Sequence, residues 1–222
     1  MKEKKYYLTA AVCALLTVIL IALVRTVDVA AIGPAGTVIG LSRINGAVHE
    51  LTGVNMSWYK LTEVVGYLAI LTGLVFAALG CLQLIRRKSL KKVDWELLCL
   101  GGLIVALAIL YVFFKKVIVN YRPIIMPGDT EPEASFPSSH TMLACSLMGG
   151  VMLVLGRYIK KRSLCTALRA LCALMIAVMV AGRLVSGVHW FTDIIGGLFI
   201  SGMLLALMAG ALHGGAGQRR GD

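Results

Sequence analysis

The chain has 222 residues, 59% of them hydrophobic and 15% charged, with a mean hydropathy of +0.85, values outside the range of soluble globular domains. The formal charge of +11 does not argue for nucleic acid, because the cations sit in short groups beside apolar runs and no aromatic residues interleave with them to stack on bases. No polar stretch is long enough to bury a second core, so residues 1–222 are expected to form one membrane-embedded domain.

A helix needs about 20 apolar residues to cross the hydrocarbon core. Six segments meet or approach that length: Tyr7 to Val24, Thr62 to Leu84, Trp95 to Phe114, Thr141 to Tyr158, Thr166 to Val185 and Trp190 to Leu212. The expected fold is therefore an all-α, polytopic bundle of six transmembrane helices, since an open sheet cannot satisfy its backbone in lipid. The first segment follows Lys2, Lys4 and Lys5 and competes with a cleaved signal peptide; its apolar run is long and Arg25 interrupts the cleavage region, which favours a retained anchor. Cys13, Cys81, Cys99, Cys145 and Cys172 lie in apolar runs and Cys165 beside a basic loop, without the spacing of a metal site or a disulfide framework.

If the chain crosses at every segment, most of the 22 Lys and Arg fall on one side: the N-terminus, Arg86 to Lys92, Arg157 to Arg169, and Arg219 with Arg220. That side is expected to be cytoplasmic, with both termini on it. The opposite side holds two long connections. Residues 25–61 carry Asp28, Pro34, Gly36, Asn45-Gly46 and Trp58-Tyr59, which suggests turns and a short interfacial helix anchored by its aromatics. Residues 115–140 are polar, rich in proline and dense in ionisable groups.

Three clusters on this outer side carry chemistry. Lys115 and Arg122-Pro123 offer a point charge and a planar fork, a pair suited to phosphate; in isolation, snorkelling at the interface is the better explanation of the same residues. In Phe136-Pro137-Ser138-Ser139-His140, proline followed by a capping serine predicts a helix start whose free amides and serine hydroxyls receive an anion, with His140 beside it as a proton donor. Taken alone, it is also an ordinary capped helix. In the third, Arg183, His189 and Asp193, the last two are spaced to share the face of a helix start, so the carboxylate fixes the imidazole tautomer and leaves the other nitrogen as nucleophile or base. An i,i+4 structural pair is the competing explanation.

The order of the three clusters and their common side join them. Together they resemble the tripartite motif of the type 2 phosphatidic acid phosphatase superfamily, KxxxxxxRP, PSGH and SRxxxxxHxxxD, over Lys115 to Asp193. The resemblance implies that Lys115, Arg122 and Arg183, with Ser138 and the amide of Ser139, bind the phosphoryl oxygens. It implies that His189 attacks phosphorus, Asp193 orients His189 and His140 protonates the leaving group, without metal or cofactor. Ser139 stands where the motif has glycine and Gly182 where it has serine, departures expected to retune activity rather than abolish it. His49 and His213 match no motif and are expected at the interface or in the tail, and Glu131 and Glu133 are expected to solvate their loop.

The expected activity is hydrolysis of a lipid phosphate or isoprenyl diphosphate, with undecaprenyl diphosphate favoured for a small chain with short loops. The expected partners are the bilayer and that lipid, not nucleic acid. A phosphotransferase using the same phosphohistidine and a non-catalytic anion-binding or transport protein are the alternatives. Nothing in the residues names the lipid.

Overall fold

The computed structural model describes residues 2–218, so Arg219 and Arg220 of the orientation argument lie outside the described residues. Among the described residues seven α-helices form: α1 (Lys2–Thr26), α2 (Ser42–Thr52), α3 (Met56–Arg87), α4 (Trp95–Lys116), α5 (Ser139–Tyr158), α6 (Arg162–Val185) and α7 (Phe191–Gln218). All but α2 are long and apolar enough to cross a membrane. The fold is an all-helical, six-transmembrane-helix bundle, as the hydropathy pattern predicts. Most helices run past the apolar segment by a few residues, because caps and charged end turns extend them: Asn55 Oδ1 accepts from the amides of Ser57 and Trp58 to start α3, and Lys88 ends it in the left-handed conformation.

Two helices carry the interior. On α5, Met142, Leu147, Met148, Val151 and Val154 are buried, and on α7 Ile200, Leu204 and Met208 pack against them, while α1 and α3 turn Leu15, Val18, Tyr67 and Leu74 outward. Lipid tails are as apolar as these side chains, so burial from water does not drive the helices together; close packing does, and it relies on small residues. A Cβ at Gly182 on α6 would lie 2.5 Å from Cγ2 of Thr62 and 3.2 Å from the Trp58 ring, both on α3. The serine that the motif has at this position would not fit. Gly182 is therefore the residue that lets α6 approach α3.

The loops gather at two ends. At one, Asp94 accepts from Gln83 Nε2 at 2.8 Å and Arg87 Nη1 at 2.9 Å, and the Trp95 indole donates to Ala211 O at 2.9 Å. At the other, residues 27–55 fold back over the helix ends. The amide of Gly40 donates to Val24 O at 2.8 Å, Asn45 Oδ1 accepts from the amide of Thr192 at 3.2 Å, and the amide of Asn55 donates to Ser186 O at 3.1 Å. The short helix expected within residues 25–61 is α2. Its connection braces the turn before α7. Trp58 and Tyr59, expected as interfacial anchors, instead sit in the first turn of α3, with Trp58 against Gly182 and the Tyr59 ring 4.9 Å from the Arg183 guanidinium carbon. Both aromatics are half-buried at the close α3–α6 contact.

Candidate active site

The segment between α4 and α5 doubles back on itself. Tyr121 bridges Ala134, the amide of Arg122 donates to Glu133 O at 2.9 Å, and the amide of Ser135 donates to Asn120 O at 3.1 Å. This clip lies over the start of α7, where the Trp190 indole donates to Tyr121 O at 2.7 Å. The amide of Ser138 donates to Asp193 O at 3.0 Å, which ties the start of α5 to the start of α7. Three sequence-distant segments thereby meet at one end of the bundle.

Asp193 is the fully buried hub. Its Oδ1 accepts from Asn120 Nδ2 at 2.8 Å, and its Oδ2 accepts from the amide of Trp190 at 2.9 Å and from Ser135 Oγ at 2.5 Å. The bond to Trp190 is the carboxylate half of a capping box, since Asp193 stands three residues into the helix that Trp190 caps. His189 therefore precedes α7 and does not share a helical face with Asp193, because the helix begins only at Phe191. Its Nδ1 is 3.6 Å from Asp193 Oδ2 and 3.0 Å from Ser135 Oγ. With Nδ1–H donating to Ser135 Oγ and Ser135 O–H donating to Asp193, the serine relays the carboxylate to the ring. That chain places the lone pair on Nε2. Nε2 is buried and has no hydrogen-bond partner among the described residues. Burial pushes the His189 imidazole down to about 4, the Asp193 carboxylate opposes that shift, and the Arg122 and Arg183 charges add to it. At neutral pH the ring is uncharged, as a nucleophile must be.

A cavity of about 300 Å³ opens beside this group, with Lys115, Arg122, Glu133, Ser135, Ser139 and His189 on its walls. A second, apolar cavity of about 430 Å³ lies between α3, α4 and α5, with Ile70, Leu74, Leu107 and Leu143 among its walls and His140 at one edge. The two adjoin at Tyr111, Ser139 and Met142. A polar chamber thus meets an apolar one at the first turn of α5.

The candidate residues separate into wall and frame. Lys115, Arg122, Ser139 and His189 line the polar cavity and His140 the apolar one. Arg183, Ser138 and Asp193 are wholly buried and line neither. Ser138 caps α5, its Oγ accepting from the Thr141 hydroxyl at 3.0 Å and the Thr141 amide at 3.4 Å, which leaves its own O–H as a donor. Ser139 is the first residue of α5 and is absent from the positive-φ positions, so the glycine of the motif is not required here for its backbone freedom. Glu133 does more than solvate its loop: its Oε2 is 3.1 Å from Arg122 Nε. His49 packs its ring 5.5 Å from that of Trp190, and His213 lies 4.8 Å from Tyr6, away from the chamber.

Three residues of this arrangement escaped the motif reading: Ser135, Asn120 and Glu63. Glu63, on α3, forms an ion pair with Arg183 Nη2 and lies 3.0 Å from His140 Nε2. Their contacts to the motif residues span 54 to 120 positions of sequence, which no local spacing encodes. Buried nitrogens without a hydrogen-bond partner remain on the motif residues themselves: His140 Nδ1, Arg183 Nε and Nη1, and His189 Nε2, while Arg122 Nε faces the Glu133 carboxylate at 3.1 Å without hydrogen-bond geometry. The Arg183 nitrogens among them are donors, costly to bury unless an anion meets them, whereas His189 Nε2 carries the lone pair.

Comparison with known proteins bears on this geometry. The family model of the PAP2 superfamily matches residues 96–213. Among solved structures, a transmembrane PAP2-type phosphatidylglycerolphosphate phosphatase from Bacillus subtilis superposes with a TM-score of 0.59 at 18% identity, covering 91% of this chain and 94% of that one. No curated protein matches the sequence.

Proposed function

The chain belongs to the PAP2 superfamily, and from that premise we propose that it is a membrane phosphatase hydrolysing a lipid phosphate or isoprenyl diphosphate through a phosphohistidine at His189. The observation that carries the reading is the buried chain His189, Ser135, Asp193, which leaves Nε2 unpartnered beside a chamber walled by Lys115 and Arg122.

In the proposed reaction the phosphoryl group enters the chamber between Lys115 and Arg122, at the amino end of α5, and Arg183 adds a third positive charge. Cations and helix-end dipoles of this kind stabilise the charge that spreads over the equatorial oxygens during phosphoryl transfer. The Nε2 lone pair forms the N–P bond as the P–O bond to the leaving group breaks. The cation that develops on the ring is met by Asp193 through Ser135. His140 gives a proton to the departing oxygen, then takes one from the water that cleaves the phosphohistidine. A lipid substrate is supported by the apolar cavity, which adjoins the chamber and offers an acyl or isoprenyl chain a place while the head group stays polar. The excess of Lys and Arg at the opposite end of the bundle supports an extracytoplasmic site.

Purified protein in detergent, with chelator present, is assayed for phosphate release from phosphatidate, phosphatidylglycerophosphate and an isoprenyl diphosphate. Release from at least one, abolished in His189→Ala, is expected; undiminished release in the variant overturns the assignment. A cysteine placed within residues 125–133 is expected to be labelled from the extracytoplasmic side, and labelling from the cytoplasm alone inverts the topology.

A further inference from the structure

Glu63 lies outside the three motifs, on a helix that contributes nothing to them, yet its Oε1 is the meeting point of two motif residues. It pairs with Arg183 Nη2 and stands 3.0 Å from His140 Nε2. The side chain is 24% exposed beside a fully buried Arg183. Its position follows from the packing of α3. Thr62, the preceding residue, meets Gly182, which precedes Arg183, so the closest approach of α3 and α6 delivers the carboxylate to the guanidinium. One turn further, a Cβ at Gly66 would stand 3.1 Å from His140 Cδ2, so the imidazole lies against the backbone of α3 in a slot that glycine leaves open. Tyr59 completes the bracket beneath Arg183.

The consequence concerns His140. Its Nε2 is engaged by Glu63, whereas Nδ1 is buried without a partner. We propose that Glu63 is a positioning residue whose carboxylate accepts the His140 Nε2–H, making Nδ1 the nitrogen that hands its proton to the leaving oxygen. The step balances simply. The P–O bond breaks with its electron pair on the leaving oxygen, the Nδ1 proton moves to that oxygen, and His140 is left neutral with its remaining proton on Nε2 held by Glu63. The titratable groups facing His140 are Glu63 on α3, Arg183 on α6, Arg122 in the clip and His189 before α7. Glu63 is the one carboxylate in that set and stands 3.0 Å from Nε2. The inference rests on the phosphohistidine reading and adds to it the residue that makes its acid work.

Leaving-group dependence tests it. A nitrophenyl phosphate departs without protonation, whereas an alkyl phosphate needs the acid, which contributes roughly 10²-fold or more to such steps. His140→Ala and Glu63→Ala are each expected to lose about 100-fold in the rate of the first, leaving-group-releasing turnover on the alkyl substrate and less than about 5-fold in that same rate on the nitrophenyl substrate, with Glu63→Gln intermediate. The double variant is expected to be no slower than His140→Ala on the alkyl substrate, because the two residues act as a unit. Retained release of nitrophenol in the first turnover shows that each variant is folded. Equal losses of Glu63→Ala on both substrates, or losses that multiply in the double variant, overturn the proposal. His189→Ala separates the two levels: activity in that variant defeats the phosphohistidine reading itself, whereas an inactive His189→Ala with equal Glu63→Ala losses defeats only the role of Glu63.

Discussion

Replacing Ser135 with alanine removes one oxygen from the centre of the site and nothing else. That oxygen is within hydrogen-bond distance of both His189 Nδ1, at 3.0 Å, and Asp193 Oδ2, at 2.5 Å, while ring and carboxylate themselves stand 3.6 Å apart. Asp193 keeps Asn120 and the Trp190 amide, so the start of α7 stays capped. His189 loses the acceptor for Nδ1–H in a site that is almost completely buried. A hydrogen bond linked to a charged group is worth about 1.5–3 kcal/mol. At 1.36 kcal/mol per factor of ten, the expected fall in kcat is about 10-fold to 150-fold. The lower end applies if the imidazole closes the gap and donates to Asp193 directly. Steady-state phosphate release gives the number, with thermal unfolding in detergent as the control for folding. A kcat within twofold of wild type would refute the relay and return Asp193 to a purely structural place at the head of α7.

Two further predictions come from the same geometry. Gly182→Ser, which restores the serine of the family motif, sets a Cβ 2.5 Å from Thr62 Cγ2, and forced overpacking of this kind costs about 1–3 kcal/mol. The expected result is a lower Tm that Thr62→Ala in the same chain recovers; a variant as stable as wild type contradicts the close α3–α6 contact. His189, held down to about 4 by burial, is expected to keep the neutral imidazole pattern in nitrogen NMR of histidine-labelled protein from neutral pH to about pH 5, and to take up its proton only near 4. A midpoint near 6.5 would show an imidazole exposed to solvent. The sign is fixed by the direction of the shift: the neutral form is favoured in the folded protein, so acid and not base removes the nucleophile.

The membrane helices were legible because lipid imposes one rule on every residue of a span, and that rule leaves its mark in a continuous window of sequence. The start of α5 was legible for a local reason as well, since Pro137 and Ser138 sit next to the helix they cap. The interior of the site was less so. Asp193 was read as a partner of His189 from a spacing of four, and the two stand 3.6 Å apart, but the helix begins between them and Ser135, on a different segment, bridges them by hydrogen bonds. Ser138 was read both as a cap and as a phosphate donor, and the cap is the role its Oγ fills here, accepting from the Thr141 hydroxyl and amide. Glu63 carried no signal: a single carboxylate early in an apolar helix becomes meaningful only when α6 is placed beside it by Gly182. Trp58 and Tyr59 had the composition of an interfacial belt, and helix packing turned them onto Gly182 and Arg183.

The central claim is that His189 carries the phosphoryl group. Wild-type protein mixed with a radiolabelled lipid phosphate, quenched in alkali within the first turnover and digested for mass spectrometry, is expected to yield an acid-labile, alkali-stable phosphate on the peptide bearing His189, absent from His189→Ala. Turnover without any such adduct, or label that persists in His189→Ala, would contradict it.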